Sequence, residues 1–375
     1  MFVTALGLGM YIYFIPVFAQ SFGATFFDLG LIGTIWAIAT TITPIFAGHL
    51  ADKTNRAWIY VVSLMVNGFA TIILITSHSV LDIIILRFLG GIGMEAFWVT
   101  TEIMVTDLAP KEERVREMGR YGIALTMGLL FGPLIGGLVV ERFGYINLFI
   151  ISSAVIGIST VQALIWLVPG YRRLETTIPQ STSTNTRAIK LLLPLCIMIV
   201  CYGVVWGLIT SIFPGYANSV GISAALIGSL FAAFGVARMV SYATAHRYLK
   251  FGKSRTLFFA SLTIFVGMVT MAIQPSFISL LVGITLIGGS LGLTFPITID
   301  LISRYFPDDR AGKAIASYET AINIGECVGP YLAGILTVIT TIAGSILLMS
   351  VFGILMAIIA VTGRTAINMT HPSHT

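Results

Sequence analysis

Seven charged side chains stand well inside long apolar runs of this chain: Arg87, Glu95, Glu102, Arg238, Asp300, Glu319 and Glu326. Near the centre of a bilayer such a charge costs about 2.5–3.5 kcal/mol on insertion scales. Each must therefore face a water-filled cavity or a partner. A carboxylate held there has its charged form disfavoured, so it can take up and release a proton near neutral pH. An arginine can instead grip a carboxylate or phosphate with both prongs of its guanidinium. Glu102, Asp300 and Glu319 fall within about two turns of a helix end and can reach the interface, which favours structural roles. Glu95 and Glu326 fall near mid-span and are the expected proton carriers. Glu95 is preferred, because Arg87 can alter its proton affinity as a cavity opens. The two are about 80° apart around a helix and ~12 Å apart along it, so either they share a cavity or Arg87 finds a partner on another span. The competing role is that of a permanently protonated or ion-paired structural acid. Arg238 can join Arg87 in holding an anionic solute or serve structurally at one end of its span.

The chain of 375 residues that must position them is 57% hydrophobic and only 10% charged, with a mean hydropathy of +0.96. An ordinary soluble domain is about 25% charged, so a soluble enzyme or nucleic-acid binder is excluded. A bilayer core takes ~20 apolar residues per helix. Runs of that kind predict twelve spans, at 2–20, 27–48, 57–77, 80–106, 118–140, 144–168, 189–213, 222–245, 255–274, 277–304, 313–338 and 341–363. The first lacks the basic flank and small-residue cleavage site of a signal peptide and is kept as a span. The gap at 169–188 carries Ser181-Thr-Ser-Thr-Asn-Thr186 and reads as a flexible linker. The expected organisation is an all-α membrane protein of two six-helix bundles, 1–168 and 189–364, with a tail at 365–375. Of the 21 Lys and Arg, all but three fall in the loops and tail on one side. The exceptions are Arg142 on the other side, and Arg87 and Arg238 within spans. By the positive-inside rule both termini are cytoplasmic, and the net charge of +5 is a topology signal that implies no nucleic acid. Cys196, Cys201 and Cys327 lie in apolar runs and read as buried small hydrophobes.

The two halves repeat each other. Ile15-Pro-Val-Phe-Ala-Gln-Ser-Phe-Gly23 lines up with Phe213-Pro-Gly-Tyr-Ala-Asn-Ser-Val-Gly221, and Leu31-Ile-Gly-Thr34 lines up with Leu226-Ile-Gly-Ser229. Pro110 to Pro133 and Pro307 to Pro330 span the same distance. Between them Tyr121, Gly128 and Gly132 match Tyr318, Gly325 and Gly329. Such pairs of small residues let helices approach closely, while Pro133 and Pro330 each remove a backbone hydrogen bond and bend their helix. Repeated bundles of this sort are common among membrane transporters.

With the repeat in place, the residues resemble the major facilitator superfamily over nearly the whole chain. Gly48-His-Leu-Ala-Asp-Lys-Thr-Asn-Arg56 is similar to that family's G-x-L-A-D-[RK]-x-G-[RK]-[RK] loop, with Asn55 in place of Gly and Ala57 in place of a second cation. Arg87-Phe-Leu-Gly-Gly-Ile-Gly93 is close to its R-x-x-x-G-x-G pattern. Gly128-Leu-Leu-Phe-Gly-Pro-Leu-Ile-Gly-Gly137 matches the string of its antiporter branch, typically drug:proton exchangers. The resemblance implies a secondary transporter, not an enzyme, working by alternating access in the plasma membrane. Its glycine and proline pairs would seal the interface between the halves. It also implies a cytoplasmic gate, in which Asp52 meets the positive end of the eleventh helix, with Gly48, Arg56, Asp107 and Arg114 nearby. In the second copy Leu249 replaces the acid. Aromatic residues Tyr11, Tyr13, Phe97, Trp98, Tyr202 and Trp206 lie in spans the family assigns to the cavity, and such a surface suits amphiphilic solutes.

The resulting expectation is proton-coupled efflux of small amphiphilic compounds, with a proton gradient as the energy source and no cofactor or metal. The partners would be a small-molecule substrate and the lipid bilayer, and the working unit a monomer. Uptake or exchange of a small organic anion or metabolite through Arg87 and Arg238 is the alternative. A non-transporting sensor or lipid-handling protein is a third, disfavoured by the short tails.

Overall fold

Bilayer hydrocarbon offers no water to unpaired backbone groups, so a chain this apolar must satisfy them within helices or a closed barrel. The computed structural model describes residues 1–108, 114–171, 186–303 and 311–363, and its regular structure there is helical throughout. The first span is α1 (Phe2–Ile12) followed by α2 (Ile15–Gln20). Pro16 stands in the first turn of α2, where its missing N–H costs nothing, but its ring prevents α1 from running on. Thr25 then starts α3 (Phe26–Lys53) with a reciprocal cap: its hydroxyl accepts from the Asp28 N–H while the Asp28 carboxylate accepts from the Thr25 N–H. α4 (Arg56–Ile73) begins at the Asn55 cap, and α5 (Val80–Leu108) follows.

Next comes α6 (Arg114–Gln162), which passes through a wider, π-type turn into α7 (Val168–Gly170). Within α6 the two expected spans meet at Gly144, whose φ of 80° breaks the helical path. Only glycine takes that conformation cheaply, so one residue replaces the expected outer loop. The second half runs α8 (Thr186–Ser211), α9 (Phe213–Ser219), α10 (Ala224–Tyr248), α11 (Lys253–Ile273), α12 (Phe277–Ser303), α13 (Ala311–Ile339), α14 (Ile342–Met349) and α15 (Val351–Thr362). Pro214 repeats the break that Pro16 makes. Gly23 and Gly221, equivalent in the repeat, both turn the chain with φ near +80°. Ten described stretches are long and apolar enough to cross a membrane, one of them the α6–α7 run that holds two spans. α5, carrying Asp82, Arg87, Glu95 and Glu102, supplies the remaining span. The fold is the expected all-α, twelve-helix membrane architecture.

Packing divides the chain into two compact units, one of Met1–Thr176 with Ser211–Ala232 and the other of Thr177–Thr210 with Ala233–Thr375. The division therefore does not follow chain order: α9 and the first part of α10 pack with the first unit. In that unit α1 lies against α6 through glycine. A Cβ on Gly132 would stand 2.7 Å from the Gly9 backbone, and one on Gly128 would stand 2.8 Å from the Phe2 carbonyl. In the second unit Gly325 and Gly329 let α13 lie against Val200, Gly203 and Val204 of α8. These glycines thus bring helices together within a unit, and the signal that the sequence reading passed over is the partner glycine, Gly9 or Gly203.

Candidate functional site

In the first unit the polar residues gather around Arg87. Its side chain is 5% exposed, and its guanidinium lies 3.7 Å from the centre of the Trp36 ring. A desolvated cation over a tryptophan face is held by the ring's quadrupole, which makes an arginine tolerable inside an apolar helix. Beside it the Tyr11 hydroxyl donates to Asn67 Oδ1 at 3.1 Å, and Asn67 Nδ2 donates to the Gly90 carbonyl at 3.1 Å. Asn67 is fully buried. This chain of donors ties α1, α4 and α5 together around a void of about 10 Å³, close to the smallest that holds one water. Glu95 is half-buried two turns further along α5. Phe97 is fully buried with its ring 5.2 Å from Tyr60 and 5.8 Å from Trp98.

In the second unit the centre is Arg238 on α10. Its Nε donates to the Tyr242 hydroxyl at 2.7 Å and its Nη2 to the Tyr202 hydroxyl at 3.0 Å. The guanidinium also sits 4.5 Å from the centre of the Trp206 ring. Three expected residues, Tyr202, Trp206 and Arg238, are therefore in contact. Glu326 is half-buried on α13, with its backbone against Gly203 and Gly207 of α8. Its helix is positioned by Pro330, whose ring lies against Gly207. Arg238 and two tyrosines thus meet beside α8, and the backbone of Glu326 packs on the same helix. By contrast Asp300 is engaged structurally, in an ion pair with Lys253 at 2.5 Å.

At one end of the first unit Arg56 is buried at the start of α4. The side chains of Asp52, Asp107 and Arg114, and Gly48 with them, lie outside the described residues. Among the described residues no group of three or more His, Cys, Asp or Glu comes together as a metal site.

Several participants were not singled out from the sequence. Trp36 and Tyr60 are aromatic residues among many in apolar spans. Tyr242 was legible in principle, because four residues after Arg238 is one helical turn and places it on the same face. Asn67, an amide within an apolar run, carried the same kind of signal as a buried charge. A third polar cluster lies at the other end of the first unit. Gln20 and Asn218, equivalent positions of the repeat, bond to each other at 2.9 Å, and Gln20 also donates to the Gly215 carbonyl. Glu141 accepts from the Ser223 hydroxyl at 2.7 Å and from the Ala225 N–H at 2.9 Å.

Comparison with known proteins agrees with this architecture. A family profile described as Major Facilitator Superfamily matches residues 1–193 and 195–373. An uncharacterized MFS-type transporter of Methanocaldococcus jannaschii is 25% identical, over 96% of this chain and 95% of its own length. The quinolone resistance protein NorA of Staphylococcus aureus is 23% identical, over 89% of this chain and 87% of its own length. Among solved structures, a bacterial homolog of the human lysosomal transporter Spinster, inward-facing and unoccupied, superimposes with a TM-score of 0.76 at 13% identity, covering 97% of this chain and 95% of that one. The nucleoside transporter NupG gives a TM-score of 0.74 at 13% identity, covering 98% and 97%. This chain, a multi-pass membrane protein with two arginine-centred polar clusters in its helices, belongs to the Major Facilitator Superfamily of transporters.

Proposed function

We propose that this chain is a proton-coupled exporter of small amphiphilic compounds, with Glu326 as the proton carrier and the Arg238 cluster as the surface that senses its charge. The observation that carries this reading is that Tyr202 accepts a hydrogen bond from Arg238 while the next residue of α8, Gly203, packs against the backbone of Glu326. A proton arriving at or leaving Glu326 changes the field on the Tyr202–Arg238 pair, so protonation and the geometry of an aromatic surface are linked. Tyr242 and Trp206, half-buried beside the buried Tyr202, offer flat apolar faces with polar edges, which suit amphiphilic solutes. Kinship with NorA, named for quinolone resistance, supports efflux as the direction. Glu326 is taken ahead of Glu95, the choice made from the sequence, because its helix packs on α8 beside Tyr202 of the Arg238 cluster.

The test is transport in proteoliposomes with an imposed pH gradient, following a lipophilic cation and internal pH together. Glu326→Gln is expected to abolish pH-driven exchange while Glu95→Gln retains most of it. Undiminished proton-linked exchange by Glu326→Gln overturns the assignment. A second reading, exchange of a small organic anion, is supported by the half-buried guanidinium of Arg238, which could grip a carboxylate. In the same assay it requires flux of organic anions and none of cations.

A further inference from the structure

Outside the clusters described so far, the second unit holds a crevice of about 610 Å³ between α10, α11 and α12. That volume lies within the range of ligand pockets. We propose that this crevice is a binding site for an anionic phospholipid, with one acyl chain along its wall and the phosphate on Arg255.

Its depth fits a single leaflet. The α11 wall runs from Arg255 to Thr263, eight residues or ~12 Å of helix, against ~15 Å for half of a bilayer's hydrocarbon core. The wall is largely apolar, and its threonine hydroxyls and that of Ser290 are already engaged with backbone carbonyls. Thr256 donates to the Tyr248 and Gly252 carbonyls, Thr263 to Phe259, Thr285 to Leu281 and Ser290 to Leu286. A polar solute would find few bonds there, whereas an acyl chain needs none. Phe251 and Phe259, 69% and 62% exposed, flank the opening and mark it as facing lipid.

The rim supplies the opposite chemistry. Arg255 lines the crevice, Arg247 and Lys250 stand exposed close by in the chain, and none of the described lining residues is acidic. The neighbouring acid, Asp300, is engaged with Lys253. Cations at a helix end beside an apolar slot are the arrangement that holds anionic headgroups. The floor is open by virtue of one residue. A Cβ at Gly289 would meet only the Ser241 hydroxyl, at 3.4 Å, whereas one at Gly292 would crowd the Arg238 carbonyl at 2.6 Å. Gly289 therefore keeps space free where other glycines of α12 are packed.

Native mass spectrometry of the purified chain in mixed micelles of phosphatidylglycerol and phosphatidylcholine tests this. Retention of phosphatidylglycerol over phosphatidylcholine is expected. Arg255→Gln should lower it about fivefold, the factor one basic residue contributes to holding an anionic lipid, and Arg255→Lys should restore most of it. Gly289→Phe should displace both lipids by filling the slot, while the chain remains folded by thermal unfolding in the same detergent. Equal retention of the two lipids, or phosphatidylglycerol retention unaffected by Gly289→Phe, overturns the proposal.

Discussion

Arg238 is held at three points: by two tyrosine hydroxyls and by the face of Trp206. The hold depends on the shape of the guanidinium, whose Nε and Nη2 point at different partners from one rigid plane. A lysine would keep the charge but offer a single ammonium that cannot reach both hydroxyls in that geometry. A hydrogen bond to a charged group contributes about 1.5–3 kcal/mol, so Arg238→Lys is expected to reduce proton-linked flux about tenfold in proteoliposomes without loss of the folded chain. Flux equal to that of the unsubstituted chain would show that the cluster only packs α8 on α10. At this scale much was legible in the sequence. A charge in an apolar run is conspicuous because of its cost, and Arg87 and Arg238 were identified on that ground. Their pairings were not: Tyr202 was singled out only as a cavity aromatic and Trp36 not at all, in a sequence that is 11% aromatic. Composition says that a cation needs a partner; only packing says which.

Among the elements, the starts of α3 and α10 occupy equivalent places in the repeat but are completed differently. At α3 the carboxylate comes from within, as Asp28 accepts from the Thr25 N–H and hydroxyl. At α10 the residue three positions after Ser223 is Leu226, which has no carboxylate, and the carboxylate comes from Glu141, between the two spans of α6. An anion at a helix start is favoured by the unpaired N–H groups and the dipole there. The Ser223 hydroxyl, and after it the Ala225 N–H, hold the Glu141 carboxyl below its usual range. The sign follows directly. Since the capped state has the lower pKa, the contact is fully present above the ordinary glutamate value of about 4.3 and is lost as pH falls through the lowered one. Phe231, further along α10, is 2% exposed and stacks on Tyr13 with ring centres 3.9 Å apart. A cysteine in place of Phe231 should therefore react slowly with an impermeant maleimide at pH 7. In a Glu141→Gln background the reaction should be several-fold faster at the same pH, and an unchanged rate would mean that the carboxylate does not hold this end of α10. The repeat was readable from the Pro and Gly positions that both copies share. The cap was not, because its acid lies 82 residues away in the chain.

At the scale of the whole molecule, the number and order of helices followed from hydropathy because a span needs length and apolarity and little else. The compact units follow chain order except at 211–232, which the hydropathy does not single out. A helix broken at Pro214 can place its two parts in different packing environments, and α8 and α9 do so. Apolar pattern is blind to which neighbour a helix chooses. Sidedness is the property of the whole chain that the sequence specifies most directly, through cations that resist crossing the membrane during insertion. Lys250 and Arg142, both exposed, stand on opposite sides in that reading, with Lys250 inside. Native Cys196, Cys201 and Cys327 lie within helices α8 and α13 and can be replaced by serine or alanine to lower the background. In intact cells Arg142→Cys is then expected to react with an impermeant maleimide, and Lys250→Cys only after permeabilisation. Reaction of Lys250→Cys in intact cells would invert the orientation. It would also place the Glu141 contact on the inner face, where a falling external pH could not release it, so the sidedness experiment decides which compartment's acidity α10 can sense.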